Sequence, residues 1–231
     1  GKSTLMKVAA GVHIPDAGTV TIDGHVPQSP ADAIRLGVSL VRQELIQAND
    51  LDVGSNVMLG HEPHRFGIID RTALYREATK ALQRVGGDID PRTPLRSLSP
   101  GQKQRAEIAR ALSLNAKVLL LDEPTATLSE SDAALLFGLL HDLRKNGIAM
   151  VYISHRLREV LKITDRVVCM RDGERVAELP TAEATLDNLG ELRAGGKNGG
   201  SGVTTTMGAE VGEAGLRSGT ACLPLGRTNG H

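Results

Sequence analysis

The run Lys117-Val118-Leu119-Leu120-Leu121-Asp122-Glu123-Pro124 decides the fold. Four consecutive apolar residues with no polar alternation describe a strand buried on both faces. Such strands belong to parallel sheets covered by helices, and ligands gather beyond their carboxyl ends, where Asp122 and Glu123 stand. Downstream, residues 131–145 carry helical spacing that Asn146-Gly147 ends, and Ile148-Ala149-Met150-Val151-Tyr152-Ile153-Ser154 reads as a second buried strand. Upstream, Ser99 opens a helix that runs through Leu112. A further helix over 72–85 keeps Leu74, Ala78, Leu82 and Val85 on one face. Gly37-Val38-Ser39-Leu40-Val41 is another short apolar run, and 18–24 alternates between two glycines as a strand would. Residues 2–10 read as a short helix, and Asp172-Gly173 as the turn of a hairpin. Strands alternating with helices predict an α/β fold around a mostly parallel sheet.

Composition narrows the function classes. The 231 residues hold 27 Lys+Arg and 27 Asp+Glu, a formal net charge of zero, which excludes a whole-chain basic surface for nucleic acid. With two Phe, two Tyr and no Trp, the core is aliphatic and offers no platform for stacking bases. Cys169 and Cys222 make neither a disulfide framework nor a zinc site. No apolar run reaches the roughly 18 residues of a membrane span, and no signal-peptide pattern or initiator Met precedes Gly1. Residues 191–231 hold 11 of the 26 glycines and no periodic pattern, so 1–190 is expected to fold as one domain and 191–231 to be a disordered tail.

Three motifs carry chemistry. Gly1-Lys2-Ser3-Thr4 matches the end of G-x-x-x-x-G-K-[ST], a loop whose backbone N–H groups cradle phosphates at a helix start. In that pattern Lys2 reaches the β- and γ-phosphates and the Ser3 hydroxyl ligates Mg²⁺. Asp122 follows Lys2 by 120 positions at the end of a buried strand, where it suits Mg²⁺, and Glu123 beside it suits the polarising of a water. Leu98-Ser99-Pro100-Gly101-Gln102 places Ser and Gly at a helix start, a second anion-favouring end.

Taken in order, these segments resemble the ATP-binding cassette (ABC) ATPases: phosphate loop, Q-loop glutamine at Gln43, signature at 98–102, Walker B strand ending in Asp122 and Glu123, and switch histidine at His155. Gln43-Glu44-Leu45, the run 56–63, the run 123–131 and the run 153–160 are similar to bacterial sugar-importer ATPases of the ribose, xylose and galactose type, in particular to the first of their two fused cassettes. The likeness covers about residues 1–190. Ser129 stands where most cassettes carry Asp, and Pro100 replaces the first signature glycine, removing one N–H.

The resemblance implies a P-loop core with an edge antiparallel β portion and a helical subdomain over about 44–110, the first strand lying ahead of Gly1. It implies ATP and Mg²⁺ as cofactors, with Gly1, Lys2, Ser3 and Thr4 on the phosphates and Ser3, Gln43 and Asp122 on the metal. Glu123, His155 and Gln43 would act in hydrolysis, while Ser99, Gly101 and Gln102 would close on the nucleotide of a second cassette. The implied partners are that second cassette, transmembrane permease subunits and, indirectly, a periplasmic or extracellular sugar-binding protein, with no nucleic acid. The implied place is the cytoplasmic face of the membrane, peripherally held. Two alternatives stay open: a cassette ATPase uncoupled from transport, which would be expected to show a basic arm or zinc fingers, and an inactive fragment. Without the segment ahead of Gly1, the isolated chain is expected to show no measurable ATPase activity. Loss of two charge-assisted phosphate contacts at about 1.5–3 kcal/mol each leaves at best millimolar-range ATP binding.

Overall fold

A computed structural model describes residues 1–41, 48–194 and 204–206. In chain order the elements are α1 (Lys2–Ala9), α2 (Pro30–Arg35), β1 (Val38–Val41), α3 (Val53–Val57), β2 (His64–Arg65), β3 (Ile68–Ile69), α4 (Arg71–Gln83) and α5 (Pro100–Ser113). They continue as β4 (Val118–Asp122), α6 (Glu130–Lys145), β5 (Ala149–Ile153), α7 (Leu157–Ile163), β6 (Arg166–Arg171), β7 (Glu174–Pro180), α8 (Leu186–Ala194) and β8 (Thr204–Thr206).

The unbroken apolar run does form the central strand. β4 lies between β1 and β5 and pairs parallel with both, Leu121 opposite Val41 on one side and Tyr152 on the other. Successive strand residues point to opposite faces, and here each face is covered. Leu119 and Leu121 enter the larger core cluster with Tyr152, Leu136 and Leu112, whereas Leu120 enters a second cluster with Met6, Ala10, Val38 and Ile153. α1 therefore lies on one side of the sheet, and α5 and α6 contribute to the core on the other. Both edges of β4 are paired, so β1 and β5 are the outer strands of this sheet among the described residues. β8, which pairs antiparallel with β6, comes against β5.

Side-chain caps set most helix starts. Ser29, Asp52, Asp70, Ser99 and Ser129 each accept a backbone N–H of the first turn of α2 through α6 respectively. The predicted face of α4 is buried at Leu74, Ala78 and Leu82, with Val85 just beyond, and α3, α4 and α5 pack on one another. α6 stops at Asn146, with Gly147 at φ +83°. β6 and β7 form the predicted hairpin, Asp172 and Gly173 both at positive φ.

The expected strand at 18–24 does not form. Gly18, Asp23 and Gly24 all have positive φ, and Ile22 and His25 exchange two backbone hydrogen bonds that close a tight turn. No described strand borders this segment, so its alternation has nothing to pair with. α8 runs past residue 190, and β8 is a paired strand within 191–231.

Leu119 is wholly buried in the central strand, whereas Leu135 on α6 is exposed. Leu119→Ala should destabilise the chain by about 2–5 kcal/mol in urea unfolding. Leu135→Ala should stay within about 0.5 kcal/mol of the native chain.

Candidate functional site

Parallel register brings the ends of β4 and β5 together, Asp122 opposite Ile153. The Glu123 N–H still donates to the Ile153 carbonyl at 2.9 Å, but Glu123 itself turns into the left-handed region, φ +48°. A side chain held there costs about 1–2 kcal/mol, and such residues gather at functional sites. The turn sends the Glu123 carboxylate toward the loop that leaves β5, where His155 Nδ1 lies 3.1 Å from Glu123 Oε2. The imidazole is half exposed and the carboxylate more enclosed. Asp122, half-buried, ends the strand beside them. Glu123 and His155, 32 positions apart, are thus joined as a pair.

α1 presents a different kind of end. Its N-cap is Gly1, which caps nothing through a side chain, and no acid stands in its first turn. Gly1 lies against the β6–β7 turn: a Cβ there would sit 3.4 Å from Gly173 Cα. Lys2, Ser3 and Thr4 form the first turn of this helix, which packs against β4 through the Met6 face.

Ser99, Gly101 and Gln102 are not brought to the Glu123–His155 pair. Ser99 Oγ accepts the Gln102 N–H at 3.2 Å and Gln102 Oε1 accepts the Ser99 N–H at 3.0 Å, a reciprocal box that closes the start of α5. Pro100, which has no N–H, occupies the first helical position, where the missing donor costs least. Gly101 faces the start of α6: a Cβ there would fall 2.6 Å from Asp132 Oδ1, so the glycine admits that carboxylate. Gln43 lies outside the described residues.

A second group was not singled out from the sequence. Glu159 on α7 is buried, and its Oε2 accepts from Thr125 Oγ1 at 2.7 Å, Tyr152 OH at 3.0 Å and Ser154 Oγ at 3.2 Å. Its Oε1 accepts from Arg156 Nη1 at 3.1 Å. Burial pushes the Tyr152 phenol far above the ordinary tyrosine range, and the adjacent Glu159 charge adds to the rise. Tyr75, the other tyrosine, is raised chiefly because its OH donates to Asp52 at 2.7 Å. Among the described residues no cluster of His, Cys, Asp and Glu is arranged to hold a metal by itself.

Residues 1–126 match the family model described as ABC transporter. The chain is 46% identical over 198 residues to a ribose import ATP-binding protein, RbsA, of Chromobacterium violaceum, covering 84% of this chain and 39% of that protein. A ribose import ATP-binding protein of Rubrobacter xylanophilus is 44% identical over 219 residues, 94% of this chain and 44% of that one. The chain thus spans about two fifths of the length of these curated relatives. Among solved structures it resembles cbiO1 of Clostridium perfringens, part of the cbiONQ ABC transporter complex, with TM-score 0.66, 28% identity, and 79% and 74% of the two chains covered. A nucleotide-free ATP-binding cassette from an ABC transporter gives TM-score 0.68 at 27% identity, covering 78% and 76%.

The two phenols offer a direct check of burial, since no Trp obscures them. Both folded-state values lie above the unfolded one, so their contribution to stability is full at and below the ordinary phenol range. It is lost as pH rises through the raised values. Absorbance titration of the native chain should therefore show no tyrosinate through the ordinary range, then a rise that coincides with alkaline unfolding. Tyr152→Phe should leave Tyr75 alone to titrate. A phenol ionising normally in the folded chain would contradict the buried Tyr152.

Proposed function

The chain belongs to the ABC transporter family, and from that premise we propose that it is the ATP-binding and hydrolysing part of a polypeptide that powers sugar import through a membrane permease. The observation that carries this reading is the 3.1 Å contact of His155 with Glu123 at the joined ends of β4 and β5. A carboxylate so placed takes up or orients the proton of an attacking water, and the imidazole that meets it through Nδ1 holds that carboxylate in place. Lys2, Ser3 and Thr4 hold the phosphates of ATP. Their helix start fits an anion, because no side chain caps it and no acid stands in its first turn.

The donor set also fits Mg²⁺: the Ser3 hydroxyl and the Asp122 carboxylate are hard oxygens. Ser3, Asp122 and Gln43 would hold the ion, which supplies charge neutralisation along the phosphates. Phosphoryl transfer needs mostly positioning and electrostatics, so the work of this chain is to fix Lys2, Glu123 and His155 relative to one another.

Ser99, Gly101 and Gln102 lie at a separate helix start, which supports their service to the nucleotide of a second cassette. α3, α4 and α5, which pack together, support a helical subdomain over about 44–110, in a domain that reaches past 190 through α8 and β8. The names of the relatives support a sugar as the imported solute. Permease subunits would be the direct partners, with an external sugar-binding protein delivering the solute. The chain would sit at the cytoplasmic face of the membrane. Among the described residues no helix is long and apolar enough to cross it.

The test is Glu123→Gln, made in the chain with a complete phosphate loop placed ahead of Gly1. Nucleotide binding should persist while turnover of Mg·ATP falls by roughly 10²–10⁴-fold, the size of a general-base contribution. Unchanged turnover would remove Glu123 from the mechanism.

A further inference from the structure

We propose that Glu159 is a positioning residue, whose buried carboxylate clamps the loop bearing Glu123 to the loop bearing His155 and so sets the contact between them. The proposal rests on the reading of Glu123 and His155 as the hydrolytic pair.

Chain positions make the case. Thr125 lies two residues beyond Glu123, and Ser154 immediately precedes His155. Both hydroxyls donate to the same oxygen, Glu159 Oε2, at 2.7 and 3.2 Å. That one atom therefore bonds to both loops, 34 and 5 positions away along the chain. Backbone pairing between β4 and β5 reaches its last described bond at Glu123 N–H to Ile153 carbonyl. Beyond that bond the two segments leave the ladder, and side chains must hold them.

The donors are committed. Ser154 Oγ accepts the Arg156 N–H at 3.0 Å, which leaves its own hydrogen for Glu159. The Tyr152 hydroxyl, at the end of β5, gives its hydrogen to the same oxygen at 3.0 Å. Arg156 Nη1, on the second oxygen, supplies an opposite charge. Three hydroxyl donors converging on one oxygen call for an ionised acceptor. A glutamine would have to set its NH₂ against the Arg156 guanidinium or against the hydroxyls. If holding α7 to the sheet were the whole role, contact with its own neighbours would suffice, and Val160 on the same helix is already fully buried. What distinguishes Glu159 is that its bonds land beside the two proposed hydrolytic residues.

The tautomer of His155 reports the clamp without any need for turnover. Which ring nitrogen carries the proton is set by the hydrogen bonds the ring makes. With Nδ1 against the Glu123 carboxylate, neutral His155 in the native chain should hold its proton on Nδ1. This is read from ¹⁵N ring resonances at a pH above the histidine range, with the signals of the seven histidines assigned through His155→Asn. Thr125→Val keeps the side-chain shape and deletes one arm of the clamp. Glu159→Gln weakens both arms. In each variant the Nδ1–H form should be lost in favour of the Nε2–H form that an unconstrained imidazole prefers, while far-ultraviolet circular dichroism stays native. Retention of the native tautomer in folded Thr125→Val and Glu159→Gln overturns the clamp. Should Glu159→Gln not fold, Thr125→Val alone decides. An Nε2–H ring in the native chain also overturns it, because the contact the clamp is said to set is then absent. Failure of the hydrolytic reading shows elsewhere, as unchanged turnover in Glu123→Gln, and leaves the tautomer result standing.

Discussion

Backbone pairing along both edges of β4 is the constraint on which the rest of the structure depends. Once β4 is bonded to β1 on one side and β5 on the other, its alternating leucines must be covered on two faces at once. α1 meets that demand on one face, and α5 and α6 on the other. The same ladder fixes Asp122 level with Ile153, so the next residues of both strands leave the sheet at one height. A one-residue slip between β4 and β5 would turn Leu119 and Leu121 toward the wrong layer, so the register that packs the core also places Glu123 beside His155.

The helix starts divide into two kinds, and the division follows charge. α2 through α6 are closed by Ser or Asp side chains that take up first-turn donors. A helix N-terminus carries roughly half a positive charge, and at α5 it is further matched by the Asp132 carboxylate lying over Gly101. α1 has neither a side-chain cap nor a first-turn acid. At α5 the Asp132 carboxylate and the Ser99–Gln102 box thus take up part of the positive potential, whereas no side-chain cap or first-turn acid does so at α1. This difference between two glycine-containing helix starts is not apparent from their motifs, because Asp132 lies 31 positions beyond Gly101.

What the sequence made legible were features with a local physical cause. The β4 run has no polar interruption, α4 has a clean apolar face, and Ser99, Asn146-Gly147 and Asp172-Gly173 are caps and turns of ordinary chemistry. Elements without such marks were missed. α7 begins at Arg156 with no side-chain cap. The β2–β3 hairpin turns at Phe66 and Gly67, both at positive φ, and phenylalanine is a poor residue for that conformation. α2 did carry a Ser-Pro start at Ser29-Pro30, but six residues are too few to show periodicity. At 18–24 alternation misled, since a strand needs a neighbour and a two-glycine segment turns easily. Within the candidate site, Glu123 was legible as the end of a buried strand, and His155 only through the family resemblance. Glu159 was not: an acid between Arg158 and Val160 looks like a solvated helix face, and only the fold brings Thr125 to it.

The same long-range contact bears on why Glu123 can hold its backbone conformation. The left-handed geometry costs about 1–2 kcal/mol, so the surroundings must over-determine it. Three constraints act within two residues: the Ile153 carbonyl on the Glu123 N–H, the His155 ring on its carboxylate, and Glu159 on the Thr125 hydroxyl. A neutral hydrogen bond contributes a net of about 0.5–1.5 kcal/mol and one to a charged group about 1.5–3 kcal/mol. The Thr125 bond is of the second kind, short and shielded from water, and by itself is comparable to the strain. The His155 contact is half exposed and correspondingly weaker. The buried network, rather than the site's own visible pair, is therefore the larger of the two side-chain terms holding the end of β4 in place. The pair of Glu123 and His155 itself keeps the looser contact, nearer to solvent.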